Sequence, residues 1–319
     1  MMNCRLLVLM SVVTIPVAAM EADAWRVQNK PSYFSPDENN EESNNDNLFR
    51  LNKKQASDNQ APVDGDQLYK LGYAYYFAQT SSPELREDNL KKARSYLEQA
   101  VKQGHGRAAN LLGEMWQKGK GGKIDFVKAE NLYLLAQKKG VYDANYNLAE
   151  LYRHTNQTQK AYKLHSALEA YGDKRSRIAL GNIHLHGGKG VAPDLQKAIT
   201  LYEKMAQQGD LTATYYLARA YYKNKLYEEA MPYFQEINES PTAQQVLGTL
   251  VFSQVKAALA NIYGFRGLGS PQEAVELFEE ALALGNKDIQ PKLKLLKERL
   301  ARTKKSADKG GRYSALGAS

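Results

Sequence analysis

From residue 66 the chain returns to one pattern about every 36 residues. A period in that range marks stacked supersecondary units, so it outranks any local propensity in deciding the fold. The first anchor is a Leu followed by Gly or Ala, with a large ring three residues beyond the small one. It occurs as Leu71-Gly72 with Tyr75, Leu112-Gly113 with Trp116, Leu148-Ala149 with Tyr152, Leu180-Gly181 with His184, Leu217-Ala218 with Tyr221 and Leu259-Ala260 with Tyr263. The second anchor is an Ala after Lys or Glu: Ala93, Ala129, Ala161, Ala198, Ala230 and Ala274, at intervals of 36, 32, 37, 32 and 44 residues. A further buried-type residue follows seven positions on, and Gly104, Gly140, Gly172, Gly209 and Gly285 close five of the repeats.

Small residues let two helices approach closely, and a ring three positions on lies on the same helical face. A closing Gly supplies the left-handed residue that ends a helix. Each repeat therefore reads as a helical hairpin that completes its core only by stacking on its neighbours. The expected fold is all-α: an α-solenoid of about six hairpins over 66–286, then a polar-faced capping helix over 287–302 and a basic disordered tail over 303–319.

The loops inside the hairpins carry a resemblance. LLGEMWQKGKGGKIDFVKAENLYLLAQKKG and LGNIHLHGGKGVAPDLQKAITLYEKMAQQG share Leu-Gly, the ring, loop glycines, an Asp (Asp125, Asp194), Lys-Ala and a final Gly. This closely resembles the Sel-one-like repeat, a longer-looped relative of the tetratricopeptide repeat. The third and fifth repeats have short loops and look more like plain tetratricopeptide units. The sixth carries extra helix, Thr242 to Lys256, before its anchor. The resemblance implies that the first helix of each hairpin lines a concave, partner-binding face. Its expected members are Tyr69, Tyr73, Tyr76, Asn110, Glu114, Tyr146, Glu150, Arg153, Asn182, Tyr215, Arg219 and Tyr222. Tyr, Arg and Asn together form the mixture that recognition surfaces favour.

Ahead of the repeats, Arg5 and the uncharged run Leu6 to Ala19 resemble an export signal. A spanning helix needs about 20 apolar residues, so this run is too short to be one. Small-residue cleavage sites stand at Val17-Ala18-Ala19 and at Ala22-Asp23-Ala24 before Trp25, which assigns 1–24 as the signal peptide. The only Cys, Cys4, precedes the apolar run, so a lipid anchor is not expected. The mature chain then has no Cys, which excludes disulfides and cysteine-held zinc. Residues 25–65 include PDENNEESNNDN, too polar to bury surface against the entropy of ordering, and read as a disordered linker. Once these segments and the tail are set aside, residues 66–302 carry the whole net charge of +8. That charge permits an anionic polysaccharide as a partner.

Catalytic chemistry finds little footing. Gly119 to Lys123 and Gly187 to Gly190 lack the Ser or Thr, and the preceding strand, that a phosphate-binding loop needs. His184 and His186, two apart on a helix, point in different directions, and His184 stands in the ring slot of the repeat. No G-x-S-x-G nucleophile motif occurs. Glu114 with Glu150 is the one candidate carboxylate pair, and register-matched surface residues explain it better. No catalytic, cofactor or metal residue is expected.

These features describe a non-catalytic periplasmic scaffold or assembly factor of a cell-envelope machine, with other envelope proteins as partners and no nucleic acid. Exported repeat proteins of alginate-type exopolysaccharide export and of the flagellar motor ring are similar. A cell-wall glycan enzyme or regulator and a secreted host-interacting virulence factor are the alternatives.

Overall fold

Ala93, Ala129, Ala161, Ala198, Ala230 and Ala274 are all fully buried. Each sits where the second helix of a hairpin crosses the first, and a methyl group there lets the axes close. The computed structural model describes residues 64–78, 80 and 82–315, with side chains as far as 303. No strand occurs among the described residues, only an isolated bridge between Gly188 and Val191. No described helix is long and apolar enough to cross a membrane. The export signal over 1–24 and the linker up to residue 63 lie outside the described residues.

The chain divides into two compact units after Gly172. The first holds three hairpins: α1 (Gly65–Phe77) with α2 (Pro83–Lys102), α3 (Gly106–Lys118) with α4 (Phe126–Lys138), and α5 (Tyr142–His154) with α6 (Thr158–Ala170). The second holds α7 (Lys174–His186) with α8 (Leu195–Ala206), α9 (Leu211–Lys223) with α10 (Tyr227–Glu239), a short α11 (Ala243–Leu247), and α12 (Thr249–Arg266) with α13 (Pro271–Ala283). A 3-10 turn, Lys287–Ile289, leads into the last helix, α14 (Gln290–Ala315). The six hairpins and the cap match the periodicity.

Within a hairpin, the residue four past the Ala anchor packs on the small residue of the first helix. Leu97 lies on Gly72, Tyr133 on Gly113 and Tyr202 on Gly181. Tyr133 and Tyr202 are fully buried, which contributes about 1.5–3 kcal/mol for a large side chain. Tyr96 and Tyr233, one residue earlier in the register, are only half-buried. They stack instead on the anchor rings Tyr75 and Tyr221, at 5.6 and 6.0 Å between centroids.

Four of the anchor rings also tie a hairpin to the one before it within the same unit. Tyr152 donates to Glu130 of α4 and Tyr221 to Glu203 of α8, while Tyr263 accepts from Gln235 of α10. Trp116 lies between Arg94 of α2 and Lys128, whose charges stand 3.9 and 4.0 Å from the ring centroid. Cations so placed on an indole contribute about 0.5–1 kcal/mol where exposed and more where desolvated.

Four of the intra-hairpin loops share one device despite their different lengths. The residue opening the second helix donates its N–H to the carbonyl of the ring residue: Asp125 to Trp116, Gln157 to Tyr152, Asp194 to His184 and Leu226 to Tyr221. In the two long loops that residue is the repeat's Asp, whose carboxylate also caps the second helix by accepting from Lys128 and Lys197 N–H. Capping of this kind contributes about 1 kcal/mol. The loop glycines have steric work to do: a Cβ on Gly121 would stand 2.6 Å from the Leu90 carbonyl oxygen. The short loops turn through left-handed Asn156 and Lys225 instead. The closing glycines Gly104, Gly140, Gly172, Gly209 and Gly285 all have positive φ, from 76 to 93°.

Two segments differ from expectation. The helix over Thr242 to Lys256 is broken at Gly248, where φ is 79° and ψ 154°, leaving α11 as a separate turn. The last helix runs on to Ala315, through most of the stretch from 303 that was expected as a disordered tail. The Lys, Ala and Arg residues beyond 302 are good helix formers.

Candidate interaction surface

All twelve residues assigned to the first-helix face do lie on first helices. Arg153 is exposed and the other eleven are half-buried. They follow the Leu anchor in register: two before it (Tyr69, Asn110, Tyr146, Tyr215), two after (Tyr73, Glu114, Glu150, Asn182, Arg219) and five after (Tyr76, Arg153, Tyr222).

In the first unit most of their polar atoms are taken up locally. Tyr76 donates to Glu114 across 2.8 Å, and Lys118 reaches the same carboxylate oxygen at 2.7 Å. Lys120 from the loop hydrogen-bonds the Tyr76 hydroxyl and lies over its ring, 4.2 Å from the centroid. Burial opposes ionisation of Glu114, but the bonds from Lys118 and Tyr76 outweigh it and hold the carboxyl below its ordinary range. Burial and then Glu114 push the Tyr76 hydroxyl upward. Asn147 donates to Asn110 across 3.0 Å, joining α5 to α3. Tyr69 stacks on His105 at 4.7 Å, and Tyr73 meets Tyr69 at 5.9 Å and Phe77 at 4.5 Å.

Glu150 accepts from Arg153 at 2.8 Å and faces the fully buried His165 at 3.3 Å. Burial again opposes ionisation, yet the His165 and Arg153 bonds bring the carboxyl down to about 2. Tyr146 meets the His165 ring edge-on at 5.5 Å. Each carboxyl thus has its own cation, Lys118 for Glu114 and Arg153 for Glu150.

In the second unit Tyr215 donates to Gln254 at 3.1 Å, and Asn261 donates to the Tyr222 hydroxyl. Both bonds join α9 to α12. Tyr222 also meets Tyr227 and Phe234 edge-on, at 5.3 and 5.9 Å. Arg219 and Lys223 stand one turn apart on α9 without an ionic partner among the described residues.

His184 is buried, at 8% exposure, while His186 is exposed, so the two do not share a site. Among the described residues no three His, Cys, Asp or Glu side chains gather to hold a metal.

Sequence reading missed the partners Asn147, Gln254 and Asn261. It also missed the column six past the Leu anchor, which holds Phe77, Lys118, His154, His186 and Lys223. The repeat distance was the available signal: the hydrogen-bonded pairs across hairpins are 37 to 39 residues apart.

The Sel1 repeat family matches residues 68–105, 106–141, 175–210 and 252–286, and a tetratricopeptide repeat matches 212–243. The fifth hairpin is thus of the plain tetratricopeptide kind, as its short loop suggests. A Sel1 repeat protein from Oxalobacter formigenes superposes with a TM-score of 0.51 at 22% identity, over 76% of this chain and 96% of its own. A protective antigen of uropathogenic Escherichia coli with an SLR fold gives 0.50 at 18% identity, over 82% of this chain and 65% of its own. At these identities the likeness is one of fold.

Proposed function

Since this chain is an α-solenoid of Sel1-like repeats, a fold that serves as a protein–protein interaction scaffold, we propose that it acts as a non-catalytic scaffold or assembly factor in the periplasm. It would serve a cell-envelope machine of the exopolysaccharide-export or flagellar-motor-ring kind. The observation that carries the interaction reading is the first-helix face, where Tyr, Asn and Arg recur in register and remain partly open to solvent. The periplasmic reading rests on the signal-like residues 1–24 and the Cys-free sequence after them.

Affinity purification from envelope extracts tests the proposal, comparing wild type with Arg153→Ala combined with Tyr215→Ala. Both substitutions should leave helical circular dichroism intact and abolish co-purification of the partner. Undiminished capture by this variant, with loss on substitution of exposed second-helix residues such as Lys204, contradicts it. Intact-mass measurement tests export: the mature chain is expected to begin at Met20 or Trp25 without a lipid.

A further inference from the structure

The two units treat charge differently on their first-helix faces. In the first unit the column two past the Leu anchor holds Glu114 and Glu150, each matched by a cation, Lys118 at 2.7 Å and Arg153 at 2.8 Å. In the second unit the same column reads Asn182, Arg219 and Asn261 and holds no acid. Tyr215, Arg219 and Lys223 follow one another at successive turns of α9, so they form a single file. His186 ends α7, which packs beside α9.

That placement puts the groups within electrostatic reach of one another. Burial, helped by the charges of Lys223 and Arg219 and opposed by a backbone hydrogen bond at Leu185, pushes the His186 imidazole down. Burial and then Arg219 push the Lys223 ammonium down. Unpaired like charges held together repel one another, and an anion between them relieves that repulsion. On the same face, Asn182 makes no side-chain hydrogen bond among the described residues, which leaves a donor and an acceptor that match a peptide unit.

We propose that the face built from Tyr215, Arg219 and Lys223 of α9, with Asn182 and His186 of α7, binds an acidic peptide segment of a partner protein, its carboxylates resting on the two cations. This rests on the reading of the first-helix faces as the interaction surface and adds the chemistry of the partner. Charge complementarity carries the choice of an anion. A free amide and a tyrosine ring beside only two permanent charges favour a short peptide over a polyanionic glycan, which draws on many cations along its length.

Fluorescence anisotropy of the full chain with a labelled Asp/Glu-rich peptide tests this, with the Asn/Gln counterpart of that peptide and polyglucuronate as the comparison ligands. The acidic peptide should bind, the neutral one should not, and binding should weaken as salt is raised. Arg219→Gln with Lys223→Gln should weaken it by about tenfold or more, and Lys223→Gln alone by less. Lys204→Gln, on the exposed side of α8, should leave it unchanged. Circular dichroism confirms that each variant is folded. Peptide binding that is absent from the wild type, or unchanged in the double variant, overturns the proposal. Binding of polyglucuronate alone overturns it in favour of an anionic glycan. Either result leaves the scaffold reading standing, because that reading depends on partner capture by the first-helix variants.

Discussion

Tyr133 lies with its ring against the backbone of Gly113, so that a Cβ at 113 would stand 2.8 Å from Cε1 and 2.9 Å from Cδ1. Gly181 meets Tyr202 even more closely, at 2.3 Å. Where the first helix offers Ala instead, in Ala149, Ala218 and Ala260, the matching residues of the second helix are His165, Phe234 and Phe278. The pairing of a small residue with a ring, or with Leu97 in the first hairpin, sets how closely each hairpin closes.

A first prediction sets two effects of opposite sign against each other. Gly to Ala inside a helix normally stabilises by about 1 kcal/mol. At Gly113 and Gly181 the added methyl overlaps a buried ring, and overpacking of this kind costs about 1–3 kcal/mol. Gly113→Ala and Gly181→Ala should therefore both lower the stability measured by urea unfolding. A rise in stability for either would mean that the ring has room to move.

Lys225 turns the short loop of the fifth hairpin at a φ of 64°, a conformation in which an L side chain other than Gly or Asn is strained. Lys225→Gly should relieve that strain and raise stability by up to about 1 kcal/mol, partly offset by the greater freedom of Gly in the unfolded chain. Asn156→Gly, at a residue that tolerates this region, should gain less. Thermal unfolding of the two variants side by side checks the order.

The Glu150 carboxyl is lowered from 4.5 to about 2 in the folded chain. Its ionised form therefore stabilises the fold fully above pH 4.5, and the contribution is lost as pH falls toward 2. The shift corresponds to a few kcal/mol at most, discounted for the part of the side chain that solvent reaches. Glu150→Gln should lower the melting temperature at neutral pH and flatten the acid limb of the stability curve. Parallel acid limbs for variant and wild type would place the protons elsewhere.

The hairpin architecture was legible because it rests on local rules: small anchors, a ring on the same face, a closing Gly. Gly248 escaped notice because a lone Gly is tolerated inside a helical pattern, and only its positive φ marks the break between α11 and α12. Of the first-helix face, the register was legible but the use of the side chains was not. Tyr76, Asn110, Tyr215 and Tyr222 each bond a residue one hairpin away, which is a tertiary fact. Lys223 and His186 lie one position beyond the stripe read from the sequence, so the cationic file on α9 became visible only with the helices in place.

Site-specific photo-crosslinking in producing cells tests most directly that first-helix faces carry the interaction. A benzophenone side chain would replace Tyr73, Arg153 or Tyr222 on first helices, and Lys91, Lys204 or Glu236 on the exposed sides of second helices. Crosslinked partner bands are expected from the first-helix positions and not from the second-helix ones. Bands arising only from Lys91, Lys204 or Glu236 would contradict the assignment and move the interaction surface to the outer helices.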